Sequence, residues 1–250
     1  MSWSVRPGSQ EEQVGRLILA GVLVMFLPQL PLGNYIIYPF TILTTWFHEM
    51  GHGLTAMLLG YDFELLKIFP DGSGFAQSYS IGPKSAIASA LVSAGGPLGP
   101  SMIGSILILA SSRKKYWRPA LAGLAAAITL STIIWVRSIT GIIVLPLIAA
   151  AVIAISLRGA DWLVRFALQF LGILAAMSMF RDWDYLFSQS ANIGGQVILS
   201  DTGAIAEVLL LPYWFWAIVI IIISGVMIGA SLKYALAEDD SLGGWQPGRR

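Results

Sequence analysis

The chain has 250 residues, 56% of them hydrophobic and only 12% charged, with a formal net charge of +1. Soluble domains carry roughly a quarter charged residues, so these are too few to cover a water-facing surface, and no basic stripe is present for a nucleic acid. The absence of cysteine excludes disulfides and thiolate ligands, so any metal must be held by nitrogen and oxygen.

An all-α polytopic membrane protein is the economical reading, because a spanning helix satisfies its own backbone hydrogen bonds. Residues 1–15 form a polar N-terminal segment whose mixed charges do not resemble a cleavable signal peptide. A span needs about 20 apolar residues, and six or seven stretches are expected to cross within a single integral-membrane domain, 16–236. The first runs from Leu17 to Leu32 and the second from Ile36 to Gly60, with a turn at Gly33-Asn34 that folds them into a helical hairpin.

Tyr61 to Lys84 differs in kind. It holds Asp62, Glu64, Lys67, Asp71 and Lys84, and Pro70-Asp71-Gly72-Ser73-Gly74 is a strong turn signal. The partly alternating flanks, Phe63–Phe69 and Phe75–Tyr79, predict a small β-hairpin at the membrane surface (61–84) rather than another span.

Ser85 to Ser111 is apolar but interrupted by Gly95-Gly96-Pro97-Leu98-Gly99-Pro100. The small residues would let backbones approach closely, and the prolines predict a break or kink. A basic cluster follows at Arg113, Lys114, Lys115 and Arg118, then apolar stretches at Pro119–Val136, Ile139–Leu157 and Trp162–Met179. Phe180 to Asp201 reads as a polar loop with Arg181, Asp182, Asp184, Asn192 and Gly194-Gly195. The last span, Pro212–Leu232, opens with the interfacial aromatics Tyr213, Trp214 and Trp216. The tail, 237–250, is polar, Gly-rich and expected to be disordered.

The positive-inside rule puts the basic cluster in the cytoplasm. If Ser85–Ser111 spans once, the hairpin loop then falls outside; if the Gly/Pro break makes it re-entrant, both loops are cytoplasmic.

The only two histidines stand in His48-Glu49-Met50-Gly51-His52, an H-E-x-x-H pattern inside the second apolar stretch. Residues four apart in a helix share a face, so His48 and His52 could offer two imidazole nitrogens to one zinc ion. Glu49 points to the side of that pair, where it could act as base on a metal-bound water. Three ionisable groups within five residues is hard to explain as packing, since each costs at least ~2.5–3.5 kcal/mol when charged at membrane depth.

Catalytic zinc sites generally take three protein ligands. With no further histidine or cysteine, the third must be Asp or Glu, and the candidates are Asp161, Asp182, Asp184, Asp201 and Glu207. Ser200 or Asp201 could equally be the N-cap of a helix starting there, and Asp182 and Asp184 could be ion-pair partners of Arg181.

The chain resembles the site-2-protease-like intramembrane zinc metalloproteases, specifically a compact branch of that superfamily. The resemblance runs from about residue 40 to 215. It rests on His48–His52, on the Pro70–Gly74 loop with the strand after it, on Ala94-Gly95-Gly96-Pro97-Leu98-Gly99-Pro100, and on Ser200-Asp201. It implies one Zn²⁺ ion held by His48, His52 and Asp201, with Glu49 as catalytic base, hydrolysing a peptide bond of a membrane-protein or peptide substrate in or near the lipid bilayer. The late Asn-Pro…Leu-Asp-Gly motif of better-known members is missing, so Asp201 matches only the compact branch's shorter motif. A multi-pass protein of a prokaryotic plasma membrane is the implied location.

In that reading the hairpin edge could pair with an unwound substrate strand, or be an ordinary surface hairpin. Asn192 could bond substrate or be a simple loop residue. Rival readings are a catalytically silent metal-binding membrane scaffold and a transporter using the His/Glu cluster. The intact Glu49 argues against the first and the lack of repeated halves against the second. Substrate identity and oligomeric state are not written in the chain.

Overall fold

The computed structural model describes residues 10–82 and 85–237; most of the polar N-terminal segment and the tail expected to be disordered lie outside the described residues. Every expected apolar stretch is helical: α1 (Gln10–Phe26), α2 (Gly33–Leu58), α3 (Ala86–Ser112), α4 (Lys114–Ile134), α5 (Ile139–Arg158), α6 (Asp161–Arg181) and, after a short α7 (Trp183–Leu186) and α8 (Asp201–Val208), α9 (Tyr213–Leu236). Five helices among the described residues (α3, α4, α5, α9 and the α6–α7 segment) are long and apolar enough to cross a membrane.

The first two helices do not form the expected hairpin. Prolines at 28 and 31 lack the N–H that would continue α1, and the chain turns through a 3-10 segment, Leu27–Gln29. Leu32 then takes a left-handed φ of 66°, and Gly33, expected in the turn, is instead the first residue of α2. Glycine is needed there, since a β-carbon would lie 1.7 Å from the Leu27 carbonyl oxygen. Each packs against another helix instead, α1 mainly on α6 and α2 mainly on α3. Arg16 of α1 donates to the Trp162 carbonyl at the start of α6 (3.0 Å), and the Phe40 ring of α2 meets Phe170 further along it at 5.0 Å.

The predicted β-hairpin is present as β1 (Asp62–Ile68) and β2 (Gly74–Tyr79), antiparallel, with a bulge between Phe63 and Leu65. Asp71 caps its turn by accepting from the Ser73 amide and hydroxyl, and Gly72 supplies the positive φ. Rather than projecting, the hairpin folds back along α2. Phe63 covers Gly53, Thr45 donates to the Gly72 carbonyl, and Tyr38 donates to the Pro70 carbonyl at 3.0 Å. Its buried face, Phe63, Leu66 and Ile68, joins the core built from Ile42, Leu43, Phe47, Ile128 and Leu145. On the far edge of β1, Leu66 exchanges backbone bonds with Trp135 and Arg137 at the α4–α5 turn.

The Gly/Pro segment does not break α3, which runs unbroken with Pro97 and Pro100 inside it. Neighbouring helices cover the residues around both prolines, and such surroundings tolerate proline within a membrane helix. The small side chains permit the expected close approach: a β-carbon on Gly51 would be 2.2 Å from the Gly95 carbonyl oxygen, and one on Gly99 2.7 Å from that of Phe47. Because α3 is a single continuous helix, β1–β2 and the basic cluster sit at opposite ends of it.

The expected polar loop, 180–201, is also structured. Besides α7 it contains a second antiparallel hairpin, β3 (Ser190–Ile193) and β4 (Gln196–Leu199). Gly194 and Gly195, with φ of 58° and 84°, make the two-residue turn typical of tight hairpins. The Gly-Gly pair was a readable hairpin signal that the polar composition masked.

Candidate metal centre

His48 and His52 lie one turn apart on α2, and their rings are 5.0 Å apart. Across from them α8 presents Asp201. The Nε2 of His48 is 2.9 Å from Asp201 Oδ2, and the Nε2 of His52 is 3.2 Å from Oδ1. One ligand atom from each of the three residues lies within 4.8 Å of the others, close enough to bind a single ion.

Local chemistry sets each group. The His52 Nδ1 lies 2.7 Å from the Val92 carbonyl of α3, which accepts from it and fixes the ring with Nε2 toward Asp201. Ser200 takes the N-cap of α8, accepting from the Gly203 amide at 3.0 Å. Asp201 is thereby spared that role, and its carboxylate turns to the imidazoles. Burial alone would push the Asp201 carboxyl up, but His52 and His48 beside it hold it below the usual carboxylate range. Gly96 of α3 abuts the same space: a β-carbon there would lie 2.1 Å from His52 Nε2 and 2.7 Å from His48 Nε2. The donor set of two imidazoles and one carboxylate, with room kept open by a glycine, suits Zn²⁺.

Glu49, 5% exposed, stands beside this group. Its carboxylate accepts from the Ala76 amide of β2, and Gly74 gives it room, since a β-carbon there would be 2.5 Å from Oε1. A cleft of about 200 Å³ exposes Glu49, both histidines and Asp201 between β2 residues Gly74–Ser78 and the second hairpin's Ile193, Ile198 and Leu199. A second cleft, lined by Asp182 and Asn192, shares His48, Glu49 and Gly74 with it.

The structure does not bring the other carboxylates to the group. Asp161 pairs with Lys114 and Arg118 at the opposite end of the molecule. Asp184 and Glu207 are exposed, and Asp182 lines only the second cleft. Asn192 belongs to β3 and borders that second cleft as well.

Tyr185 of α7 was not picked out from the sequence. Its hydroxyl accepts from the Asp201 amide at 3.2 Å and bonds the Asp201 carboxylate, and its ring meets His48 edge-on at 6.1 Å. Nothing in a span read as a polar loop distinguishes this tyrosine; only the fold brings it to Asp201.

A family model described as Peptidase M50B-like matches residues 17–231. No curated protein and no solved structure matches the chain. With five apolar spans and the match covering most of its length, the chain is an integral membrane protein that belongs to the Peptidase M50B-like family, among the site-2-protease group of membrane metallopeptidases.

Proposed function

We propose that the protein is a zinc-dependent intramembrane endopeptidase that hydrolyses peptide bonds of membrane-embedded or membrane-proximal substrates. The observation that carries this reading is the convergence of His48, His52 and Asp201 within 4.8 Å, beside a buried Glu49 and open to a cleft along a strand edge.

In this mechanism His48, His52 and Asp201 hold the ion. When bound, zinc would supply an open coordination position, polarise the scissile carbonyl and lower the pKa of water toward ~7. Glu49 is the base: it takes the proton of the attacking water and returns it to the leaving amine. The Ala76 N–H fixes one side of the Glu49 carboxylate, which keeps it aimed across the cleft. Tyr185 is a positioning residue that orients Asp201.

A helical substrate has its carbonyls bonded along its own backbone and must unwind to be cut. β2 offers a template for the unwound segment. Among the described residues no strand pairs with its other edge, and extended peptides commonly add to such edges. The apolar Ile193, Ile198 and Leu199 close the cleft opposite.

The test is Glu49→Gln in the full-length protein. The variant is expected to keep its zinc and lose cleavage of a membrane-anchored reporter by at least about 100-fold, the usual scale for a general base. Full cleavage by Glu49→Gln, or wild-type protein purified without zinc and unable to take it up, removes the reading.

A further inference from the structure

We infer that the centre selects its cleavage site by the side chains on either side of the scissile bond: an apolar residue on one flank and a hydrogen-bond donor, best a lysine or arginine, on the other. This specificity rests on the peptidase reading above and deepens it.

The two clefts meet over the candidate centre. His48, Glu49, Gly74, Tyr185 and Ile193 line both of them. The first hairpin passes from one cleft to the other at Gly74, with Asp71–Gly74 on the second cleft and Gly74–Ser78 on the first. The second hairpin does the same at Ile193, with Ala191 and Asn192 on the second cleft and Ile198 and Leu199 on the first. The clefts are thus two arms of one trough between the hairpins, and Glu49 stands where the arms join. Extended chain advances about 3.3 Å per residue, so the stretch of β2 along the first arm runs beside about four substrate residues. A peptide bond held at Glu49 therefore sends the residues before it into one arm and those after it into the other.

The arms differ in chemistry. Beyond the shared residues, the first is walled by Phe63, Phe75, Val92, Ile198 and Leu199. Its polar side chains are the small Ser78 and Ser93 and Gln77, which donates to Glu64 at 2.8 Å.

The second arm is lined by hydroxyls whose hydrogens are already committed. Thr44 donates to the Thr41 carbonyl at 2.9 Å and Ser178 to the Ala175 carbonyl at 2.9 Å. Thr45 donates to the Gly72 carbonyl, and Ser73 to the Asp71 carboxylate at 2.7 Å. A hydroxyl that donates can still accept through its oxygen lone pairs, so these groups offer the arm acceptors. Asp71 and Asp182 add two carboxylates, and among the described residues no Lys or Arg lines this arm. A substrate asparagine, glutamine or serine could donate here, and a lysine or arginine adds charge complementarity. A leucine would take water from the acceptors and return no hydrogen bond.

The test is cleavage of a membrane-anchored reporter by the full-length protein, with the residue on each flank of the scissile bond varied among Leu, Gln, Lys and Asp. Products are mapped by mass spectrometry. One flank is expected to prefer Leu, and the other to prefer Lys over Leu by at least about 10-fold, the low end of discrimination by a side-chain pocket. Asp182→Asn should lower the Lys-to-Gln ratio on the donor flank about 3-fold, the scale of an exposed ion pair. Asn192→Leu should lower the Gln-to-Leu ratio there. Ratios are read, so a loss of folded protein cancels.

Equal acceptance of Leu and Lys on both flanks, or Leu preferred on both, overturns the inference and leaves the peptidase reading standing. Ratios unchanged in both variants place the selection outside this arm and overturn it as well. Failure of the wild type to cut any reporter, with Leu and Lys tried in both orders, removes the peptidase reading and this specificity with it.

Discussion

Gly96 and His52 face each other so closely that a β-carbon on Gly96 would sit 2.1 Å from the imidazole Nε2. The small-residue run of α3 therefore does more than let α2 and α3 approach; at this position it leaves the space in which ligand atoms converge. Gly96→Ala is expected to abolish zinc retention, or weaken it by at least about 10-fold, the scale seen when groups around a ligand are disturbed. Gly123→Ala, on a surface where a β-carbon meets nothing within 4 Å, should leave metal content unchanged. Metal analysis of the two purified variants, with circular dichroism as a check on folding, gives the comparison. Normal zinc in Gly96→Ala would show that the ion binds elsewhere.

Asp201 is the carboxylate within reach of both imidazoles, while Asp182 borders only the neighbouring cleft. Asp201→Ala should lose zinc, and Asp182→Ala and Asp184→Ala should keep it. Measured zinc stoichiometry decides the matter: loss in Asp182→Ala with retention in Asp201→Ala would reassign the third ligand.

Tyr185 supplies a subtler test. Tyr185→Phe keeps the ring beside His48 but deletes the hydroxyl that bonds the amide and carboxylate of Asp201. Zinc affinity, measured by competition with a chelator, is expected to fall about 10-fold, in line with the loss of a partner to a ligating carboxylate. Thermal stability of the protein without zinc should shift little. An unchanged zinc affinity would exclude the positioning role.

The β1–β2 hairpin is held to the bundle by apolar contact as well as by its bonds to the α4–α5 turn. Leu66 is completely buried, and truncating a buried leucine costs about 2–5 kcal/mol. Leu66→Ala should lower the unfolding midpoint in detergent and loosen β2 beside Glu49, with cleavage falling even in the folded fraction. A midpoint equal to that of the wild type would mean that the hairpin packs more loosely than its burial implies.

The residue order alone decided a good deal. Composition demanded a membrane protein because so few charges cannot clothe a soluble surface, and each apolar stretch became a helix because backbone groups in lipid must bond within their own segment. Four-residue spacing set His48 and His52 on one face of α2, with Glu49 to the side, since helical periodicity is local. The Pro70–Gly74 turn was equally legible, as turn chemistry involves neighbouring residues.

Tertiary structure decided the rest. Which of five carboxylates meets the histidines depended on how α8, seated on α3 and α9, faces α2, a contact across 153 positions that no local pattern encodes. Prolines 97 and 100 read as a break or a kink, and α3 runs through them without a break because its neighbours cover that part of the helix. α1 and α2 read as a hairpin, yet α1 packs on α6 and α2 on α3, a choice of partners that no local pattern encodes. The contrast between the two clefts lay half in each. The hydroxyls and carboxylates were visible in the chain, but only the packing of α2, α6 and the two hairpins gathered them on one side of Glu49, since they come from elements far apart in the chain.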